Sequence, residues 1–289
     1  MEQFSLIGII ADTLIDGIKL IPFLYVTYLI MEYLEHKATA KTNQMIQKSG
    51  PLGPLFGSLL GVVPQCGFST AASGFYAGRV ISLGTLYAVY LSTSDEMLPV
   101  LISEKADITL IAGILLLKVI IAMAAGFAVD FVIRRKHHEV EEEHHHIHEM
   151  CNHEHCHCNE KNIFISALSH TIQIFLFIFV ITLAINVVVE LAGLERISLF
   201  LENKAVLGVF ISGIIGLVPN CASSVLITQL YLNGLLGFGA MIAGLLVGAG
   251  AGLLILFRVN ENLKENLKIT LGLYAMGVAA GLILSFIFG

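Results

Sequence analysis

Two stretches of this sequence, 51–78 and 205–232, are apolar enough to lie in hydrocarbon, yet each carries a proline and a run of small polar residues at its middle. They read Pro64-Gln65-Cys66-Gly67-Phe68-Ser69 and Pro219-Asn220-Cys221-Ala222-Ser223-Ser224. Proline removes a backbone donor and clashes with the preceding turn. Each stretch is therefore expected to be two short helices meeting at an irregular point. A shift of 155 residues lays one motif on the other, pairing Gly61 with Gly216, Pro64 with Pro219, Cys66 with Cys221 and Ser69 with Ser224. The register continues without a gap through Tyr76 and Tyr231, Gly84 and Gly239, and Leu101 and Leu256, to Gly126 and Gly281. The chain reads as two homologous halves.

Composition says where such halves live. Of 289 residues, 56% are hydrophobic and 13% charged, with a mean hydropathy of +0.83. A soluble domain is about half apolar and about a quarter charged. A soluble enzyme, a nucleic-acid binder and a disordered chain are excluded. Crossing ~30 Å of hydrocarbon takes about 20 residues, and the stretches 5–34, 80–102, 108–134, 162–192, 237–258 and 267–288 are candidates. The expected fold is an all-α polytopic membrane protein of two repeats. Residues 1–134 form the first, 135–161 a polar connection and 162–289 the second. Asp12, Asp16 and Lys19 interrupt the first apolar run, which therefore does not read as a cleaved signal peptide.

The basic residues orient the halves. If 51–78 and its counterpart each dip in and return, or cross twice, 11 of the 16 Lys and Arg share one side. A single crossing would scatter them, so the positive-inside rule favours the first case. Each half then crosses an odd number of times and the halves are inverted. The N-terminus and C-terminus are expected outside, and the central connection in the cytoplasm. The two broken stretches are expected to meet near the membrane midplane.

Charges at membrane depth are costly and usually functional. The run Ser92-Thr93-Ser94-Asp95-Glu96, inside an apolar stretch and followed by Pro99, cannot all face lipid. Adjacent carboxylates in apolar surroundings repel one another, so a proton or cation between Asp95 and Glu96 is expected. The alternative is structural pairing, for example with Lys118. The aligned segment of the second half, 247–251, has lost this polarity. Hard oxygens from Gln65, Asn220, Ser69, Ser94 and Ser223, with sulfur from Cys66 and Cys221, complete a candidate ion pathway. Asp95, Glu96, Cys66 and Cys221 are its candidate metal ligands. A buried Cys is also an ordinary small hydrophobe. Asp12 and Asp16 share a helical face with Lys19, either as a neutral helix contact or in ion passage. His170 is either a hydrogen-bonded core residue or a ligand and proton carrier.

The connection holds nine of the 11 His, three of the five Cys and seven of the 22 acids. His144, His145, His146, His148, Cys151, His153, His155, Cys156, His157 and Cys158 are candidate ligands for a soft or borderline metal ion. No pair has the spacing of a closed zinc finger, and a solvated linker is the plainer reading.

With these residues in view, the chain resembles a known family, the ten-transmembrane heavy-metal exporters, whose members carry names of arsenic efflux proteins or manganese transporters. The resemblance rests on Pro64 to Ser69, Thr93 to Glu96 with Pro99, Pro219 to Cys221, the His-rich connection and the opening Asp12, Asp16, Lys19, Pro22 and Phe23. It implies ten spans, two crossings for each broken stretch, and metal efflux. The expected activity is secondary transport exporting a divalent metal, manganese first, with protons as the coupling ion. The metal is cargo and no cofactor, catalytic residue or nucleic-acid partner is expected; the lipid bilayer is the other partner. No nucleotide-binding loop of the Gly-x4-Gly-Lys type is present. Rival readings are efflux of arsenite or organoarsenicals through Cys66 and Cys221, a membrane metal sensor, and an intramembrane thiol enzyme.

Overall fold

The computed structural model describes residues 52–63, 66–94, 97–136, 205–219 and 221–288, with scattered helical positions within 14–29 and 164–183. The regular elements among the described residues are all helices. In the first half they are α1 (Gly53–Gly61), α2 (Cys66–Ala77), α3 (Leu83–Ser92), α4 (Met97–Ser103) and α5 (Ile108–Lys136). In the second they are α6 (Ala205–Gly216), α7 (Cys221–Leu232), α8 (Phe238–Val247), α9 (Ala251–Val259) and α10 (Leu263–Phe288). Adding 155 to the bounds of α2 and α3 gives those of α7 and α8.

The correspondence extends to single hydrogen bonds. After α2, Arg79 N–H donates to Tyr76 O at 2.9 Å and Val80 N–H to Phe75 O at 2.8 Å. After α7, Gly234 N–H donates to Tyr231 O at 2.9 Å and Leu235 N–H to Leu230 O at 2.9 Å. This pair of bonds closes a helix with one residue in the left-handed region, and Arg79 (φ 57°) and Gly234 (φ 72°) supply it. The first half accepts a side chain at this strained place because that side chain has a partner. The Arg79 guanidinium grips Glu265 of α10 at 3.0 and 3.1 Å, and the Tyr76 hydroxyl donates to the same carboxylate. This ion pair holds the Arg79 guanidinium above its usual range.

Two stretches expected as single spans are broken. Residues 80–102 divide into α3 and α4 because Thr93 leaves the helix at ψ 128°. Residues 237–258 divide into α8 and α9 at 248–250, where Gly250 adopts φ 54°, ψ −142°. Only glycine takes that conformation without strain. The first break is visible as a polar run; the second is made of glycine and alanine and carries no polar mark.

Packing repeats as well. In the first half α3 lies between α1 and α5, and in the second α8 lies between α6 and α10. Small residues set the distances, as in membrane helix interfaces. A Cβ on Gly84 would stand 2.2 Å from Gly126 O, and one on Gly239 2.5 Å from Gly281 O. A Cβ on Gly61 would stand 2.6 Å from Val89 O, and one on Gly216 2.3 Å from Gly244 O. Between halves, α2 packs on α9, α7 on α4 and α3 on α8. The start of α3 is fixed by a carboxylate from α5: Asp130 accepts from Gly84 N–H at 2.8 Å and from the Ser82 hydroxyl at 2.7 Å. Ser82 in turn caps the helix by accepting from Thr85 N–H.

Helices α3 and α8 are buried almost along their whole length, and they form the centre. Helices α5 and α10 turn Ile108, Leu116, Phe131, Leu271, Ile283 and Phe286 outward. Among the described residues Ile108–Ile133, Phe238–Val259 and Leu263–Phe288 are long and apolar enough to cross a membrane. An outer apolar surface around a packed interior is what a bilayer requires.

The glycine crossings carry a prediction. Gly84→Ala should lower the thermal stability of the detergent-solubilised protein by about 1–3 kcal/mol, because the added methyl meets both the Gly126 carbonyl oxygen and the Asp130 carboxylate that caps α3. Gly113 on α5 meets nothing within 4 Å, so Gly113→Ala should leave stability equal or higher. Circular dichroism melts of the two variants beside the parent check both.

Candidate functional site

A helix that stops in an apolar interior leaves its last carbonyls without backbone donors. At the end of α3 the chain's own hydroxyls fold back onto the last turns; one of them, on Ser94, reaches the freed carbonyl of Ser92, while Val89 O also keeps a backbone donor in Thr93 N–H. Ser92 Oγ donates to Ala88 O at 2.7 Å, Thr93 Oγ1 to Val89 O at 2.8 Å, and Ser94 Oγ to Ser92 O at 3.1 Å. All three side chains are buried. The Ser and Thr residues of the polar run thus serve the break itself.

The break between α8 and α9 has no hydroxyls of its own, and the first turn of α9 beyond it is held by hydroxyls of the first half. Gly252 O lies 2.7 Å from Ser73 Oγ of α2 and 3.2 Å from the Tyr90 hydroxyl of α3. The two hydroxyls are 2.6 Å apart. Ser73 Oγ also lies 2.8 Å from Ser69 O, so with one proton each the two hydroxyls make two of these bonds at a time. Gly252 has no side chain because Ser69 is against it; a Cβ there would stand 2.8 Å from Ser69 Cβ.

The breaks adjoin one another. The end of α1 at Gly61 abuts Ser92, and the end of α6 at Gly216 abuts Gly244 and Gly248. Between the ends of α3 and α8 lies the ammonium of Lys118 from α5, fully buried. It donates to Thr93 O and, at 3.0 Å, to Leu245 O. Ser212 Oγ, on α6 beside Gly244, is buried and has no hydrogen-bond partner among the described residues.

Of the residues expected to form an ion pathway, Ser69, Ser94 and Ser223 are described and buried at the breaks. Ser223 Oγ donates to Val218 O at 3.3 Å, bridging the break at Pro219. Cys66 and Cys221 are the first residues of α2 and α7; their side chains lie outside the described residues. Gln65, Asp95, Glu96, Asn220, Asp12, Asp16 and His170 also lie outside them, as does the His-rich connection from 137 to 160. Among the described residues no group of three His, Cys, Asp or Glu is placed to hold a metal ion.

Sequence reading missed the Ser73–Tyr90–Gly252 contact and the Tyr76–Arg79–Glu265 cluster. Neither has a local signature, since each joins residues more than 150 positions apart. Lys118 had a signal as a lone charge within an apolar span, and only the fold shows what it touches.

Interrupted helices packed inside an apolar helical shell define an integral membrane protein with a polar interior at its breaks. Residues 5–179 and 159–288 match a family described as "Putative, 10TM heavy-metal exporter", and the chain belongs to that family. Comparison with curated proteins and with solved structures gives no significant match.

The shared carbonyl allows a test of the contact between the halves. Ser73→Ala combined with Tyr90→Phe removes both donors to Gly252 O. It should cost about 1–3 kcal/mol, the loss of two buried hydrogen bonds between the halves at about 0.5–1.5 kcal/mol each. Each single variant should cost less than half of that, because one hydroxyl remains. Thermal melts of the three variants give the comparison.

Proposed function

We propose that this protein is a secondary transporter that exports a divalent metal cation, manganese first among the candidates, across the cytoplasmic membrane in exchange for protons. The observation that carries the reading is the pair of interrupted helices, α3–α4 and α8–α9, that cross in the interior. Discontinuous helices offer backbone carbonyls and helix ends to an ion where no continuous helix could. The run that ends α3 continues into Asp95 and Glu96, so the first half brings carboxylates to the same region. Oxygen donors of this kind suit manganese-type ions. Heavy-metal export by the family agrees with the reading.

The halves are read as inverted repeats, with the central connection in the cytoplasm and both termini outside. The recurrence of single bonds at a 155-residue interval supports the repeat. The reciprocal packing of α2 on α9 and of α7 on α4 supports a two-fold relation between the halves. The bias of basic residues supports the orientation. The His-rich connection is read as a collector of cytosolic metal. Single cysteines introduced at 140 and 289 in a Cys-free background should label from the inside and the outside respectively. Labelling of both from one side would overturn the inversion.

A second reading has one observation in its favour. Cys66 and Cys221 open helices at equivalent places in the two halves, and helix starts present N–H groups to anionic ligands. Efflux of a thiol-bound arsenical would use such a pair. The two readings separate cleanly. Under the manganese reading, Asp95→Asn should abolish uptake of the metal into everted vesicles. The double variant Cys66→Ser, Cys221→Ser should keep a measurable fraction, since serine retains an oxygen at each place. Export lost with the sulfurs and retained without the carboxylate would establish the arsenical reading instead.

A further inference from the structure

Lys118 is the one fully buried cation among the described residues. It stands where the two halves meet, and no other residue on α5 resembles it. Thr93, one of its acceptors, is the residue at which α3 ends; Leu245, the other, lies in the last turn of α8. The two helix ends correspond in the repeat, and each brings the partial negative charge of a helix C-terminus and carbonyls beyond the reach of intrahelical donors. Two such ends directed at one point form a cation site. A buried charge persists only where it is paired and hydrogen-bonded, and here helix ends from opposite halves supply acceptors to one ammonium. The counterpart of Lys118 in the second half is Leu273, buried and apolar. One cation therefore serves both helix ends, and the repeat provides no second.

We propose that the crossing of α3 and α8 is a binding site for a small monovalent cation of the ammonium or alkali class, and that the Lys118 side chain is its tethered occupant. Lys118 is thus a positioning residue: it neutralises two helix ends and locks the halves together at the breaks. An ion passing this point meets a site already filled and must displace the ammonium from it. That the exported metal passes here rests on the exporter reading above; the identity of the site as a cation site does not.

Chemical rescue tests the assignment without any transport assay. Lys118→Ala, in the full chain purified in detergent, removes the ammonium and leaves room for a free ion. Its thermal unfolding is followed by circular dichroism while methylammonium, ammonium or potassium replaces N-methyl-D-glucamine at constant ionic strength. The expected result is a large drop in melting temperature in N-methyl-D-glucamine, most of it restored saturably by methylammonium. The parent protein and Lys118→Arg should show no such dependence. A drop that no small cation restores, or no drop at all, overturns the proposal. If Lys118→Ala does not accumulate, Lys118→Arg and Lys118→Met decide: the charge-keeping variant should fold and the volume-keeping variant should not. Equal accumulation of these two would show that Lys118 is held for its bulk. Loss of metal export with intact methylammonium rescue would count against the shared path and leave the cation site standing.

Discussion

A helix that ends inside hydrocarbon strands up to four carbonyls where no water can reach them. Everything else in this protein's interior follows from meeting that requirement at the ends of α3 and α8. The first half meets it in part locally, with Ser94 Oγ on Ser92 O and the hydroxyls of Ser92 and Thr93 folded back onto the turn before. The second half has Val247, Gly248 and Ala249 at the same place and cannot do so. The end of α8 is reached from outside by Lys118, and the start of α9 by Ser73 and Tyr90, all of the first half. The second half's break is therefore not self-sufficient, and the two halves depend on each other where their helices are interrupted.

This division explains why a repeated scaffold has diverged so unevenly. Positions that set backbone distance are kept as glycine in both halves: 61 and 216, 84 and 239, 126 and 281. Positions that supply charge are held by one half alone. Lys118 stands against Leu273, Asp130 against Ser285 and Arg79 against Gly234. At the breaks the second half retains the geometry and contributes carbonyls, while the first contributes side chains. The Arg79–Glu265 ion pair works at the surface end of the same seam, tying the turn after α2 to the start of α10. Partly exposed, it contributes less to stability than the buried contacts, as pairs within reach of water do.

How much of this was legible beforehand depended on whether the signal was local. Pro64 and Pro219 announce two breaks, because proline cannot continue a helix whatever surrounds it. The polar run 92–96 showed that something other than lipid faces that segment, though not that the helix stops there. The break at 248–250 was invisible, since glycine and alanine are common in continuous membrane helices and only a left-handed φ at Gly250 distinguishes this one. The repeat was legible because it is a relation between two sequences. The partners of Lys118, Tyr90 and Arg79 were not, because each lies in a distant segment that only tertiary packing brings near. The three serines expected at the pathway are buried at breaks; Ser94 and Ser223 donate there to backbone carbonyls, and Ser69 packs against Gly252. Their hydroxyl type was read correctly as polar, while its structural use was not foreseen.

The buried ammonium also constrains how a metal ion could move through this interior. Two unit charges ~5 Å apart at an effective dielectric of about 20 repel by about 3 kcal/mol, and a divalent ion doubles that. An ion beside Lys118 would lose roughly 10⁴-fold or more in occupancy by that repulsion alone. Carboxylates must offset it, and Asp95 and Glu96 come two and three residues after Thr93, whose carbonyl holds the ammonium. Under the exporter reading proposed above, a metal drawn to that pair would compete with Lys118 for the same negative field: its arrival would weaken the lysine's hold on the helix ends, and its departure would restore it. The contact from Lys118 to Leu245 spans the two halves, so loosening it would free one half to move against the other. On that reading, occupancy of the site and the fit of the halves would be two aspects of one electrostatic balance, the coupling that alternating exposure of an ion to opposite sides of a membrane requires.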